Sequence, residues 1–254
     1  MSDPNQQWQP PPAPPLAETP DAGGPEMSTP ATLTGIFFEP GRVFESFRTR
    51  PKFLVAGLIM VILTAGVTAL VYQRMDMGQY IRDKMERNPR NANQTEEQKE
   101  MAVTIGKAVG FVIPVFVPVT IAAGAALYLL GVMAFGGSIS YKKSVAVWVY
   151  SSFPPAILGT IVAVLVLFLK SADQLDPERL LVTNPAAFMG SESSPVLLAV
   201  LKQIDLLEIY GLVLAAIGLR KVAKISSGSA WGVVLGFFLI KVIMAVSSAA
   251  IFGG

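Results

Sequence analysis

The sequence predicts an all-α fold, a polytopic membrane protein in which a bundle of five transmembrane helices follows a disordered, proline-rich N-terminal tail. Apolar residues make up 52% of the 254-residue chain and charged residues only 15%, and the mean hydropathy is positive at +0.52. This composition lies outside the usual balance of a soluble domain. Most of the charges fall between long apolar runs, and the prolines concentrate near the N terminus.

The first segment, residues 1–32, is predicted to be a disordered tail, and residues 33–254 are predicted to form the membrane domain. Nine of the nineteen prolines lie in the first thirty residues, among Gly, Ser and Thr. Such a segment cannot bury a core. It also lacks the basic start and apolar centre of a cleavable signal peptide, so the first spanning helix is expected to act as the insertion signal. A solvated tether is the favoured interpretation, with a Pro-x-x-Pro docking ligand as the alternative.

A short amphipathic helix is predicted just before the first span. Val43, Phe44 and Phe47 share one helical face, and charged residues occupy the other. Pro40 suits the start of this helix and Pro51 its end. The pattern is typical of a helix that lies in the membrane interface.

Five apolar runs then follow, each near the ~20 residues that cross ~30 Å of hydrocarbon. None of them shows the alternating period of a transmembrane β-barrel strand. Prolines inside the second and third runs predict kinks, for which packing is favoured over gating. The predicted spans are about 53–72, 108–135, 145–169, 195–219 and 231–252.

Basic residues near short loops predict the orientation. Arg48 and Lys52 precede the first span, Lys142 and Lys143 lie in the short second connection, and Lys221 lies in the short fourth one. These regions are expected on the cytoplasmic side of a cytoplasmic (inner) membrane. The N terminus is therefore predicted to be cytoplasmic and the C terminus to lie outside. The Thr95-Glu96-Glu97-Gln98 sequence also predicts a capping box that starts a polar helix leading into the second span.

The most informative residues are charges inside apolar runs. Lys202, Asp205 and Glu208 lie within run 195–219, and Lys241 lies within the next run. At about 100° per residue the first three span about a third of a helix circumference, which predicts one polar stripe on a continuous helix. Charges at membrane depth need partners. Because the two acids and two lysines cancel, we expect the stripe to meet Lys241, and we expect Lys241→Met to rescue Asp205→Ala.

The residue types present argue against most enzymatic chemistry. The chain has no His and no Cys, which removes the commonest general base, the thiol nucleophile and the usual zinc ligands. It also carries no phosphate-loop or nucleophile motif. No catalytic, cofactor-binding or metal-ligating residue is therefore predicted. The expected partners are the lipid bilayer and either other membrane proteins or a second copy of the chain, with no nucleic acid. Small residues four apart, such as Gly232 and Gly236, favour internal helix packing over homodimerisation.

Three stretches of the sequence carry a family resemblance. They are Glu39-Pro40 with Phe44 and Pro51, 140–145 leading to 150–154, and 204–219 with the basic Ser-rich loop and Ala230-Trp231 after it. These stretches resemble bacterial Yip1-domain membrane proteins, and the similarity would cover about residues 33 to 252. The resemblance implies a five-span membrane protein without known catalytic residues, whose eukaryotic relatives serve vesicle traffic and associate with small Rab-type GTPases.

Two functions from different classes remain open. The first is a non-enzymatic integral membrane scaffold or adaptor of the Yip1-like type, in which the buried charges pair helices. The second is a small permease or ion pathway in which Asp205 or Glu208 changes protonation or binds a cation, as intramembrane acids often do. A water-filled cavity that reaches these acids would favour the second.

Overall fold

The computed structural model describes residues 26–86, 91, 93–190 and 193–252, and in these residues it contains helices and no strand. The predicted all-α class is therefore confirmed. Residues 1–25, which hold most of the predicted tail, lie outside the described part. Short 3₁₀ turns occur at Ala172–Gln174, Pro177–Arg179 and Pro185–Phe188. The α-helices are α1 Thr29–Phe38, α2 Pro40–Ser46, α3 Leu54–Arg74, α4 Met77–Glu86, α5 Glu96–Ala134, α6 Tyr141–Leu169, α7 Pro195–Gln203, α8 Leu206–Ala223 and α9 Ser227–Phe252.

Four of the described helices are long and apolar enough to cross a membrane. They are Leu54–Arg74, Glu96–Ala134, Tyr141–Leu169 and the stretch Ser227–Ile251 of α9. Large apolar side chains on these helices remain exposed, for example Leu58, Phe111 and Ile243. Such outward apolar surface suits contact with lipid, because an exposed apolar patch of this extent is rare on a soluble monomer.

The prediction of one continuous helix over 195–219 is wrong. Helix α7 ends at Gln203 and α8 begins at Leu206, with Asp205 as its N-cap. The physical reason is local, since the Asp205 carboxylate accepts hydrogen bonds from the first N–H groups of α8 and so stabilises a helix start there. Helix α8 has 18 residues, about 27 Å at 1.5 Å per residue. Its Glu208, Arg220 and Lys221 make it more polar than the four helices above.

The predicted tail is too long at its C-terminal end. Helix α1 begins at Thr29, where the Ser28 side chain accepts a hydrogen bond from the N–H of Ala31 and Pro30 occupies the first turn. Residues 29–32 are therefore helical. Thr32 is fully buried, and its hydroxyl lies 2.8 Å from that of Tyr150 on α6. This hydrogen bond ties the start of the described chain to the middle of the bundle.

Helix α2 starts at Pro40 as predicted, but it ends at Ser46 rather than near Pro51, and its apolar face does not lie in the membrane interface. Val43, Phe44 and Phe47 are fully buried, and α2 packs against α8. The rings of Phe47 and Tyr150 have centroids 4.7 Å apart. An amphipathic pattern shows that a face is buried, and here the burying surface is protein.

Helix α6 is the centre of the bundle, since it packs against α3, α5 and α8. Close approach depends on small residues. A Cβ atom at Gly218 of α8 would lie 2.8 Å from Cγ1 of Val147 on α6 and 2.9 Å from Cε1 of Phe44 on α2. Helix α6 continues through Pro154 and Pro155. Three helices therefore meet around a glycine in the core.

Helix α5 begins with the predicted capping box. The Thr95 side chain accepts from the N–H of Gln98, and the Gln98 side chain accepts from the N–H of Thr95. The helix then runs for 39 residues, about 58 Å at 1.5 Å per residue. This is nearly twice the thickness of a bilayer core. The polar first turns of α5 therefore extend beyond the hydrocarbon layer.

Helix α2 is also held to the end of α8 by charge. The Lys221 ammonium donates to the Glu45 carboxylate, and the Arg48 Nε donates to the Lys221 carbonyl at 2.8 Å. The hydrogen bond from Lys221 holds the pKa of Glu45 below its usual range. This pair lies outside the candidate spans.

We expect Glu45→Gln to destabilise the protein at neutral pH by about 0.5 to 1 kcal/mol, since both side chains are partly exposed. A carboxylate with a depressed folded pKa stabilises above its unfolded pKa and loses that contribution as the pH falls through the folded pKa. The difference between wild type and Glu45→Gln should therefore shrink as the pH falls towards the folded pKa of Glu45 and vanish below it. Thermal unfolding in detergent across pH measures this. Glu39→Gln is the control, because the Glu39–Arg42 pair is about 60% exposed and should contribute little.

Candidate ligand cavity and its charged cluster

A cavity of about 950 Å³ lies among α3, α5, α6, α8 and α9. Ligand pockets in proteins are commonly 300 to 1,000 Å³. Small residues on α6 and α8, including Ala156, Gly159 and Gly211, line it and leave the space open. The segment 177–184, which follows α6, contributes Pro177, and also Leu180, Leu181 and Asn184. The structure therefore contains a space among the helices that their side chains do not fill.

All four predicted charges line this one cavity. Lys202 comes from α7, Asp205 from the break before α8, Glu208 from the first turn of α8 and Lys241 from α9. They do not form the predicted stripe on one continuous helix, because the helix is interrupted between Gln203 and Leu206. Three helices, α7, α8 and α9, and the break between α7 and α8 bring them together instead.

Asp205 is almost fully buried, and both oxygens of its carboxylate accept hydrogen bonds. Oδ1 accepts from the N–H of Leu207 at 2.8 Å and of Glu208 at 3.3 Å. Oδ2 accepts from the Thr183 hydroxyl at 2.6 Å and the Asn184 amide at 3.1 Å. A carboxylate has about four acceptor positions, so these four bonds occupy it fully. Asp205 fastens the start of α8 to segment 177–184.

Glu208 forms an ion pair with Lys241 across the α8–α9 interface. The Lys241 Nζ lies 2.9 Å from Glu208 Oε2. We expected the acids to meet Lys241, and the structure assigns that contact to Glu208 rather than to Asp205. The expected rescue by Lys241→Met is therefore redirected from Asp205→Ala to a change at Glu208. The role of the cluster as a whole stays a prediction.

Hydroxyl groups complete the polar part of the wall, and most were not singled out from the sequence. Ser151 Oγ donates to the carbonyl of Trp148 at 3.0 Å. The side chain of Tyr128 on α5 also lines the cavity. Ser151 and Ser152 lie side by side within the apolar run 145–169, and this pattern could have indicated a polar cavity wall. No sequence pattern linked Thr183 and Asn184 to Asp205, because their contact is made in three dimensions.

A metal site is not evident in the described residues. No group of three or more His, Cys, Asp or Glu side chains comes together there in a way that could hold a metal ion. The side chains that meet at the cavity are instead two lysines, two acids, hydroxyls and an amide. This set suits hydrogen bonding and ion pairing with a polar organic group.

Comparison with known proteins supports the membrane assignment. The Yip1 domain family model matches residues 34–249. The chain is 26% identical over 227 residues to "Membrane protein YknW" of Bacillus subtilis (strain 168), covering 87% of this chain and 90% of that protein. No solved structure matches.

We expect Asp205→Ala to lower the free energy of unfolding by about 2 to 4 kcal/mol. The loss combines an N-cap, about 1 kcal/mol, with two donors from Thr183 and Asn184 that lose their shared acceptor, about 1 kcal/mol or more each. Chemical denaturation in detergent micelles measures the change. Ser194→Ala is the control, since Ser194 caps α7 through a single hydrogen bond. Equal effects of the two substitutions would contradict the fastening role of Asp205.

Proposed function

Because the chain belongs to the Yip1 domain family, we propose that it is a non-enzymatic scaffold or adaptor of the cytoplasmic membrane, in which the charges of the cavity wall, of which only Asp205 is buried, hold helices together. The family match covers 34–249, and the family is not known as enzymatic. The partners proposed for the scaffold are other membrane proteins or a second copy of the chain. The solvated tether expected from the sequence falls on residues before 26, which lie outside the described part of the chain, and stays a prediction.

The observation that carries this proposal is that protein groups engage both acids of the cluster. Asp205 accepts four hydrogen bonds, and Glu208 is paired with Lys241 at 2.9 Å. A carboxylate that changes protonation during transport needs acceptor positions that water or an ion can reach. Asp205 has none left, so its chemistry supports a structural role. Removing one partner of such a contact costs more than the contact itself contributes.

The proposed topology has five spans, with α8 as the fourth. Helix α8 is about 27 Å long at 1.5 Å per residue, close to the thickness of the hydrocarbon core. Its charges lie near its two ends, Glu208 in the first turn and Arg220 with Lys221 in the last. Side chains near helix ends reach the interface at lower cost. We propose that the N terminus lies in the cytoplasm and the C terminus outside, because basic residues concentrate near the short loops on the cytoplasmic side.

The topology predicts that Ser171 and Ser227 lie on opposite sides of the membrane. Both residues are exposed, and the chain contains no Cys, so Ser171→Cys and Ser227→Cys give background-free labelling. In intact cells an impermeant thiol reagent should label Ser171→Cys, and it should reach Ser227→Cys only after the membrane is opened. Labelling of both from the same side would require an even number of spans between them.

A second candidate function, a small permease or ion pathway, is favoured by one observation. The cavity reaches Glu208, and the Glu208 and Lys241 side chains are 34% and 51% exposed. Of the two acids named from the sequence, Glu208 is therefore the one that an ion could approach. Measurements of cation flux in vesicles, rather than measurements of stability, distinguish the permease from the scaffold.

We expect Glu208→Leu to destabilise the protein by about 0.5 to 1 kcal/mol, because the pair is partly exposed and Lys241 is left without its acid. The Glu208→Leu/Lys241→Met double variant should recover most of that loss. Thermal unfolding in detergent measures both. In proteoliposomes the wild type should pass protons, sodium and potassium no faster than empty vesicles. Cation flux that disappears in a folded Glu208→Gln variant would replace the scaffold with the permease.

A further inference from the structure

The Glu208–Lys241 pair is incompletely covered by the protein, and in the proposed topology it lies near the outer end of α8. Lys241 is the fifteenth residue of the candidate span Ser227–Ile251, about 21 Å from its start at 1.5 Å per residue. Half of its side chain is exposed. A charge exposed to hydrocarbon is costly unless a polar group meets it. The surroundings of this pair therefore call for a polar occupant.

The cavity beside the pair has two kinds of wall. Apolar side chains such as Leu63, Val67 and Phe237 line much of it, and the charged residues come from α7, α8, α9 and the break before α8. Thr64 and Thr160 add hydroxyls along the helices. A molecule that fills this space must have an apolar part and a polar part. Its polar part must be neutral overall, because the two lysines and two acids on the wall cancel.

We propose that this cavity binds a membrane phospholipid with a zwitterionic head group, whose ammonium and phosphate complement Glu208 and Lys241 and whose acyl chain occupies the apolar part. The proposal rests on the proposed placement of α9 in the bilayer. Leu127 and Leu181 line the cavity and are each 41% exposed, so the cavity is not sealed from its surroundings. Since α5 and α9 are candidate spans, an opening beside them admits a ligand from the lipid phase.

A cavity-filling substitution tests the site. Ala156 is part of the cavity wall on α6 and is only partly exposed, whereas Ala65 is exposed on α3 and does not line the cavity. Ala156→Trp should occupy the lipid position, and Ala65→Trp is the matched control of equal size on an outward face. The Glu208→Leu/Lys241→Met double variant removes the polar complement while it keeps the pair balanced.

The measurement uses the full chain in nonionic detergent with short-chain phosphatidylethanolamine, the same-chain phosphatidylglycerol, and free phosphoethanolamine as probes. Thermal shift and native mass spectrometry report binding. We expect wild type and Ala65→Trp to bind phosphatidylethanolamine in preference to the other two probes. Ala156→Trp should weaken that binding on the order of tenfold or more, and the double variant should abolish the preference for the zwitterionic head.

Several outcomes overturn the proposal. Equal binding by Ala156→Trp and wild type would place the lipid elsewhere. Preference for phosphatidylglycerol would show that the site selects anionic lipids. Stabilisation by free phosphoethanolamine alone would show a soluble zwitterion rather than a lipid. If Ala156→Trp fails to fold, the Glu208→Leu/Lys241→Met double variant provides the test. An unchanged head-group preference in that variant would show that the Glu208–Lys241 pair does not bind the head group. None of these results depends on the cysteine labelling or flux experiments, so failure of lipid binding is distinguishable from failure of the scaffold proposal.

Discussion

The carboxylate of Asp205 holds the start of α8 against segment 177–184. A helix start leaves four backbone N–H groups without helical partners, and at the beginning of α8 those of Leu206, Leu207 and Glu208 are satisfied. Leu206 donates to the Thr183 carbonyl at 3.2 Å, and Leu207 and Glu208 donate to Asp205 Oδ1. The first bond within the helix follows, from the N–H of Ile209 to the Asp205 carbonyl at 2.9 Å. An unsatisfied group away from water would cost several kcal/mol. The helix break, and with it the position of Glu208, therefore depends on one side chain and the segment that it binds.

The sequence was sufficient to predict the long helices but not the break between α7 and α8. Apolar runs of spanning length predicted α3, α5, α6 and α9 because length and hydropathy are local properties. The capping box at Thr95 was predictable for the same reason. At Asp205 the sequence Asp-x-x-Glu carried a helix-start signal, but the apolar residues on both sides suggested one helix. The partners that settle the matter, Thr183 and Asn184, lie 22 and 21 residues upstream, and no periodic pattern reports such contacts.

Helix α2 shows a second limit of sequence patterns. The apolar face of Val43, Phe44 and Phe47 was visible in the sequence, and lipid was the expected environment. The structure buries that face against α8 around Gly218. Amphipathicity measures the asymmetry of a helix and says nothing of what covers the apolar side. For the candidate site the outcome is similar, since residue types named the four charges but only the fold showed that Asp205 and Glu208 have different partners.

The separation along the chain between partners sets an order in which the contacts around α8 are expected to form. Thr183 and Asn184 have already been synthesised when Asp205 leaves the ribosome, and closing a loop of about twenty residues costs little entropy. The pairing of Glu208 with Lys241 must wait for most of α9. The cap can therefore settle while the last helix is still being made, so that α9 docks onto a start of α8 that is already in place. A substitution at Asp205 would on this view disturb insertion earlier than one at Lys241, even if both gave folded proteins of similar stability.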